Sequence, residues 1–340
     1  MALKTYGIDF GTSTIKISKK GQGIVLDERN IIAIADRKNI IAIGNEAYDM
    51  YEKAPSNIVV THPVRNGVIA DVANMSALLV QFMKQVSKSK RPGMADYIVA
   101  TPSDITEVER RSFYELIANS QLKAGRIKIV EKPIADAVGA GLDVMSARGV
   151  MIVDIGADTT EVSILSLGGI VLSKLIPIGG NKLDEAIKSM VKKCHNLYIG
   201  DKTAESIKKQ LASALPDVEA KIKVYGRAVV TGLPVKEEID SKTVYKAIEE
   251  YLYNIIDAIR IILERTPPEI ASDIIDSGIY VTGGSANIFG LDELISKETG
   301  LLVNICDNPA STVAKGLSRI MDEPELSTLA DFLRPKTFVD

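Results

Sequence analysis

The chain writes one short pattern twice. An apolar run, an aspartate, a glycine turn and a threonine occur first as "GIDFGTST" and again as "VDIGADTT", with Asp9 and Asp154 closing the two apolar runs. Each run reads as a buried strand. The turn after it aims several backbone N–H groups at one point, a nest suited to an anion. Superposing Asp9 on Asp154 aligns the Asp, the Gly and the closing Thr of both turns. The pattern implies a duplication, two like-folded α/β domains. The length agrees, since 340 residues exceed what one ordinary core holds.

Around the two turns the chain alternates strands and helices. "DVANMSALLVQFMKQVSKS" has helical apolar spacing, and "TEVERRSFYELIANS" opens with Thr106 and Glu109, a capping-box pair. "RIKIVEKP" is a strand that stops at Pro133, followed by the small-residue helix "IADAVGAGLDV". The second half holds "NKLDEAIKSMVKKCHNLY" and "AESIKKQLASA" as helices, then a β-rich patch, then a long helix ended by Pro267-Pro268. The tail from Glu323 is polar and is expected to be loosely attached.

Composition narrows the function. A net charge of −3 argues against a general nucleic-acid binder. Cys194 and Cys306 are far apart and read as reduced thiols of a cytosolic protein. Cys194-His195 lacks the further ligands of a zinc site, and His62 and His195 stand apart from any nucleophile pattern. No signal peptide and no membrane-spanning run is visible.

The turns carry the chemistry. Thr12, Ser13 and Thr14 can add hydroxyl donors to the nest begun by Gly11. Asp9 and Asp154 are placed to hold Mg²⁺ through water beside phosphates; the plainer reading makes each a turn-capping residue. "YVTGGSANIFG" is a third strand-to-helix glycine loop, where the backbone can approach a flat ring closely.

Together these features resemble the actin-like ATPase superfamily, and within it the chain is identified as a divergent member of the MreB family of bacterial actins. The motifs "GIDFGT", "GIVLDE", "RNGVIAD", "VDIGADTTEVSILSLGGIV", "IGGNKLDEAI", "PPEIASDI" and "VTGGSANIFGLDELI" carry the resemblance over nearly the whole chain. It implies an α/β, actin-like ATPase fold of duplicated ribonuclease-H-like domains, a four-subdomain U with ATP and Mg²⁺ in the central cleft. The implied divisions are 1–31, 73–143 and 323–340 for subdomain IA, 32–72 for IB, 144–178 and 252–322 for IIA, and 179–251 for IIB. Gly11, Thr12, Ser13 and Thr14 would hold the phosphates from one side, and Gly156, Ala157, Asp158 and Thr159 from the other. Glu205, Ser206, Ile207 and Lys208 match the stretch that contacts ribose and base, while Gly283, Gly284, Ser285, Ala286 and Asn287 would line the adenine.

Three departures bear on mechanism. MreB proteins usually carry a water-positioning Glu before the "GAGL" helix, and here the matching residue is Lys132, with Glu131 one position early. The usual "DIGGGTTE" reads "DIGADTTE", which puts Asp158 in the second turn. Lys16 stands where MreB has an apolar residue and where actin has a lysine that reaches the phosphates. Lys132 and Asp158 are expected to pair, and Thr159 completes the hydrolysis region. Loss of a positioning or general-base group costs about 10²–10⁴ in rate. The rival reading makes Asp158 a relocated base, and a third makes both changes neutral drift.

The resemblance implies a filament-forming ATPase with slow hydrolysis, a homopolymer of paired protofilaments that controls cell shape or motility. Alternatives are a nucleotide-binding scaffold that modulates paralogous MreB filaments and, less favoured, a small-molecule kinase of the same fold. A cytoplasmic location at the inner face of the membrane is expected. Weak peripheral contact there would come from the loop around Met94 or from the tail "PELSTLADFLRPKTFVD".

Overall fold

The computed structural model describes residues 3–36 and 38–331. In chain order it begins with strands β1 (Lys4–Phe10), β2 (Thr14–Lys19), β3 (Gly23–Arg29), β4 (Ile32–Ala35) and β5 (Asn39–Ile43). Helix α1 (Gly44–Met50), β6 (Ile58–Thr61), the short pair β7 (Val64–Arg65) and β8 (Val68–Ile69), and α2 (Val72–Ser87) follow. Next come β9 (Ala95–Thr101), α3 (Glu107–Ala118), β10 (Ala124–Glu131) and α4 (Lys132–Gly139). The second turn lies between β11 (Val150–Ile155) and β12 (Thr160–Ser166), followed by β13 (Gly169–Ile176), α5 (Gly180–His195), β14 (Leu197–Tyr198) and α6 (Asp201–Leu211). After β15 (Lys221–Ala228), β16 (Pro234–Asp240), α7 (Ser241–Glu264) and α8 (Pro268–Ser277) come β17 (Ile279–Thr282), α9 (Leu291–Thr299), β18 (Val303–Ile305) and α10 (Thr312–Asp322).

The chain forms two compact units. One comprises residues to Ala147, Leu165–Val171 and Ser311 onward; the other comprises Arg148–Ile164 and Leu172–Ala310. Their main sheets share one topology. The first runs β3-β2-β1-β9-β10 and the second β13-β12-β11-β17-β18. In each, the strand whose penultimate residue is an aspartate is central and its outer neighbours on one side run parallel to it, as β9 does to β1 and β17 to β11. The duplication inferred from two turns thus extends to whole sheets.

Each core explains its helices. In the first unit Ile8, Phe10, Ile15 and Ile17 pack with Leu78, Leu79 and Phe82 of α2 and Phe113 of α3. The α2 stripe follows the i, i+3/i+4 rule, and Asp71 caps it by accepting from Asn74 N at 3.0 Å. The capping box expected of α3 is present, with Thr106 and Glu109 bonding reciprocally. In the second unit Met151, Val153, Val162 and Ile164 meet Leu183, Ile187 and Val191 of α5 and the apolar face of α7.

Two sequence expectations change. The tail is not loose from Glu323 to Asp331: Leu326, Leu329 and Ala330 are buried, and Asp331 exchanges two backbone hydrogen bonds with Ile129 at 2.8 and 2.9 Å. The rest of the tail motif lies outside the described residues. Helix α10, assigned from sequence to the IIA segment, falls in the first unit because it packs backbone-to-backbone on α4. A Cβ added at Gly316 would lie 1.6 Å from the Ala135 carbonyl oxygen, and one at Gly139 would lie 1.8 Å from that of Thr312.

Candidate functional site

The first turn is built by a tight reversal. A Cβ at Gly11 would sit 2.6 Å from the Thr14 carbonyl oxygen, so only glycine leaves the turn room. The link after β3 braces it: Asn30 Nδ2 donates to Gly11 O at 2.7 Å, Arg29 donates to Ser13 Oγ at 2.9 Å, and the Asn30 N–H donates to Ser13 O at 2.9 Å. His62, isolated in sequence, lies 3.0 Å from the Asn30 carbonyl and belongs to this scaffold.

Lys16 is cross-strand from Asp9 and buried. Its ammonium donates to Thr14 Oγ1 at 2.6 Å and lies 3.3 Å from Asp27, so an aspartate of the neighbouring strand balances it. Glu131 and Lys132, adjacent at the β10–α4 junction, diverge. Glu131 accepts from Arg110 of α3 at 2.5 Å, whereas the Lys132 ammonium lies 3.1 Å from Asp9 Oδ1. The Lys132 and Asp9 side chains are only 14% and 10% exposed. Asp9 Oδ1 has no aligned hydrogen-bond donor, so the contact is Coulombic rather than a directed hydrogen bond.

The second turn repeats the geometry. The nearest atom to a Cβ at Gly156 is again the carbonyl oxygen of the threonine three residues on, Thr159, at 3.1 Å, and the Gly156 N–H donates to it at 2.9 Å. The Gly179-Gly180 start of α5 is laid against this turn. Gly180 N donates to Gly156 O at 3.0 Å, Asn181 N to Ala157 O at 2.7 Å, and Asn181 Nδ2 to the Asp158 carboxylate at 2.7 Å. A Cβ at Gly179 would lie 2.7 Å from Ala157 backbone atoms. Thr160 Oγ1 donates to Ile178 O at 2.7 Å and ties the end of the turn to the same segment.

The third loop closes on this group. Gly283 has φ +83°, and a Cβ there would lie 2.3 Å from Asp154 Oδ1. Ser285 Oγ donates to Gly156 O at 3.2 Å. From α6, Lys208 donates to Gly180 O and to Asp184 Oδ2, both at 2.7 Å. Burial pushes the Asp184 carboxyl up to about 6, outweighing the downward pull of Lys208. Glu205 accepts from Lys209 at 2.7 Å, and Ser206 from Gln210 at 2.8 Å. Ile207 and Ala286 are buried in the core, so any part they play at a ligand falls to their backbone. Asn287 Nδ2 donates to Gly284 O at 3.2 Å.

The expected residues therefore fall into two groups. Asp9, Gly11 to Thr14, Lys16 and Lys132 gather in the first unit, and Asp154, Gly156 to Thr159, Lys208 and Gly283 to Ser285 in the second. Sequence reasoning missed Asn30 and Asp184. Asp184 had a signal: it is a carboxylate one position after Leu183 on the apolar stripe of α5.

At Asp9 an ammonium stands where a magnesium ion held through water would be drawn. A dication held through water by carboxylates is drawn by their uncompensated negative charge. Here the Asp9 oxygen already faces an ammonium at 3.1 Å, and a dication would meet that charge.

Two sheets of one topology, each feeding a glycine–threonine turn from a central strand whose penultimate residue is an aspartate, define a protein of the actin-like fold. The same architecture is found in MreB5 of Spiroplasma citri bound to AMPPNP, with a TM-score of 0.89 at 32% identity over 96% of this chain and 98% of that one. MreB5 bound to ADP gives 0.88, also at 32% identity, over 94% and 96%. The MamK double helical filament, at 21% identity and a TM-score of 0.78 over 93% and 98%, shares the fold. The chain belongs to the MreB/Mbl family, whose sequence pattern matches residues 3–328. It is 40% identical over 323 residues to the cell shape-determining protein MreB of Escherichia coli K12, covering 93% of this chain and 92% of that protein. It is 37% identical over 324 residues to the cell shape-determining protein Mbl of Bacillus subtilis 168, covering 95% and 97%.

Proposed function

We propose that this chain binds ATP through the turns at 11–14 and 156–159, polymerises into paired protofilaments and hydrolyses the nucleotide slowly. The observation that carries the reading is the repeated turn: in both units a glycine abuts the carbonyl of the threonine three residues on, directly after a strand whose penultimate residue is an aspartate. Such turns present backbone N–H groups to phosphate. Lys208 and the loop from Gly284 to Asn287 would meet the ribose and base. MreB5 is a relative with ADP and AMPPNP bound, which supports nucleotide as the ligand class.

Slow turnover rests on the β10–α4 junction. The position of the water-positioning Glu is Lys132, and the neighbouring Glu131 is engaged by Arg110. A missing base costs about 10²–10⁴ in rate. A cation near the phosphate in ground and transition states alike tightens binding without speeding the chemistry. The same cation would offset the repulsion between Asp158 and phosphate. On this reading the partners are further copies of the chain and paralogous MreB proteins. They act in the cytoplasm at the inner face of the membrane, in control of shape or motility. The four-subdomain division is part of the proposal.

The scaffold reading, with negligible turnover, rests on the same Lys132 and differs only in degree. One sample with Mg-ATP, assayed for pelleting and phosphate release together, tests the proposal. Pelleting with little release is expected. Brisk release would refute the stalled step, and failure to pellet would refute the filament.

A further inference from the structure

Asp9 is the penultimate residue of β1, the central strand of the first sheet, beside the first turn. Its Oδ1 is buried, has no aligned hydrogen-bond donor, and faces the Lys132 ammonium at 3.1 Å. A buried carboxylate without a counter-charge is costly. The counter-charge here comes from α4, covalently fixed and always present. Lys132 is the first residue of α4, and that helix is locked to α10 by the approach of Gly139 and Gly316 to facing carbonyls. The backbone that carries the ammonium is therefore fixed beside Asp9.

We propose that Lys132 supplies at Asp9 the positive charge that a two-carboxylate site would take from a divalent cation, so that this chain retains nucleotide largely independently of magnesium. The inference rests on the nucleotide reading above. Its physical basis is competition for one oxygen. Mg²⁺ dehydrates reluctantly and binds through carboxylates plus phosphates. An ammonium already seated on the carboxylate removes that anchor and repels the ion. A nucleotide would then meet a cation supplied by the protein itself.

The test uses the full chain and a fluorescent ADP analogue, titrated with magnesium in excess and again with EDTA. For the parent, chelation should change Kd by less than about threefold, and for Lys132→Glu by about tenfold or more, because two carboxylates then face each other and a metal relieves their repulsion. Thermal unfolding without nucleotide gives a second readout: added magnesium should raise the Tm of Lys132→Glu and leave the parent unmoved. Lys132→Met keeps the aliphatic stem, and it should show a chelation effect larger than the parent's even if Lys132→Glu fails to fold. Manganese resonance gives a third readout, with no protein-bound Mn²⁺ signal in the parent beyond that of the Mn-nucleotide complex. Loss of about tenfold or more in parent affinity on chelation overturns the inference and leaves nucleotide binding standing. Absence of binding under both conditions overturns both.

Discussion

The contact between α4 and α10 is the most exacting in the first unit, and Gly316→Ala tests it directly. A Cβ at Gly316 would lie 1.6 Å from the Ala135 carbonyl oxygen, where ordinary contact begins at 3.4 Å. The obstacle is backbone, which cannot rotate aside, so the helices must part by roughly 1.5–2 Å in an interior packed like a crystal. Overpacking of this kind costs about 3 kcal/mol or more. Alanine's better helix propensity returns about 1 kcal/mol, leaving a net loss of about 2 kcal/mol or more. For a unit of this size that lowers the Tm by about 4–8 °C. Gly139→Ala strikes the same contact from the other helix, so the double variant should lose less than the two single losses together. Gly93→Ala, where a Cβ would meet nothing within 4 Å, is the control and should melt with the parent. Circular dichroism melts of the five proteins decide the matter. A Gly316→Ala melt within about 2 °C of the parent would refute the reasoning, because it would mean that the helices do not meet backbone-to-backbone.

Lys132→Glu combined with Asp158→Gly restores the family pattern at both positions, and phosphate release should rise by about 10²-fold or more; a fall would identify Asp158 as a working base. Asp184, raised to about 6 by burial, holds a proton in the folded state that the unfolded chain releases near pH 4. Its contribution to stability is therefore full below about pH 4 and is lost as pH rises through about 6. Urea unfolding of Asp184→Asn against the parent should show a stability difference that changes by up to about 3 kcal/mol over that window and is flat outside it.

What the sequence made legible was local. Glycine turns, the Thr106–Glu109 box and the Pro133 stop are each decided within a few residues, and each agrees with the structure. The repeated Asp–Gly–Thr pattern pointed correctly to duplication because a strand-to-strand turn needs those residue types in that order. Contacts between distant segments stayed hidden. The tail looked polar because Leu326, Leu329 and Ala330 lie on a short 3₁₀ turn, too brief for periodicity to register. Asn30 acts on Ser13 and Gly11 and Asp184 on Lys208, all distant in sequence, and no local pattern announces a brace. For Lys132 the sequence identified the altered position. Within its own unit Lys132 faces Asp9, a neighbour that β-pleating and helix placement decide and no local pattern announces.

The charges around the first turn show that two of the departures act together. With the family's apolar residue at position 16 and Glu at position 132, Asp9, Asp27 and that Glu would be three carboxylates with no lysine among them. This chain sets two ammoniums against two carboxylates: Lys16 lies 3.3 Å from Asp27 and Lys132 lies 3.1 Å from Asp9. Neither change alone balances the group. Lys16 by itself would leave Asp9 facing Glu, and Lys132 by itself would leave Asp27 without its neighbour. Both shift the charge the same way, and with Arg29 also at the turn they set positive charge beside it before any ion arrives. On the proposed function, the lysine at the position of the water-positioning carboxylate is also the lysine that faces Asp9. Restoring Glu at 132 alone would return the carboxylate needed for hydrolysis and, with it, the need for a dication. Faster phosphate release and stronger magnesium dependence should therefore appear in the same variant, and a variant that gained one without the other would separate the two roles assigned here to one side chain.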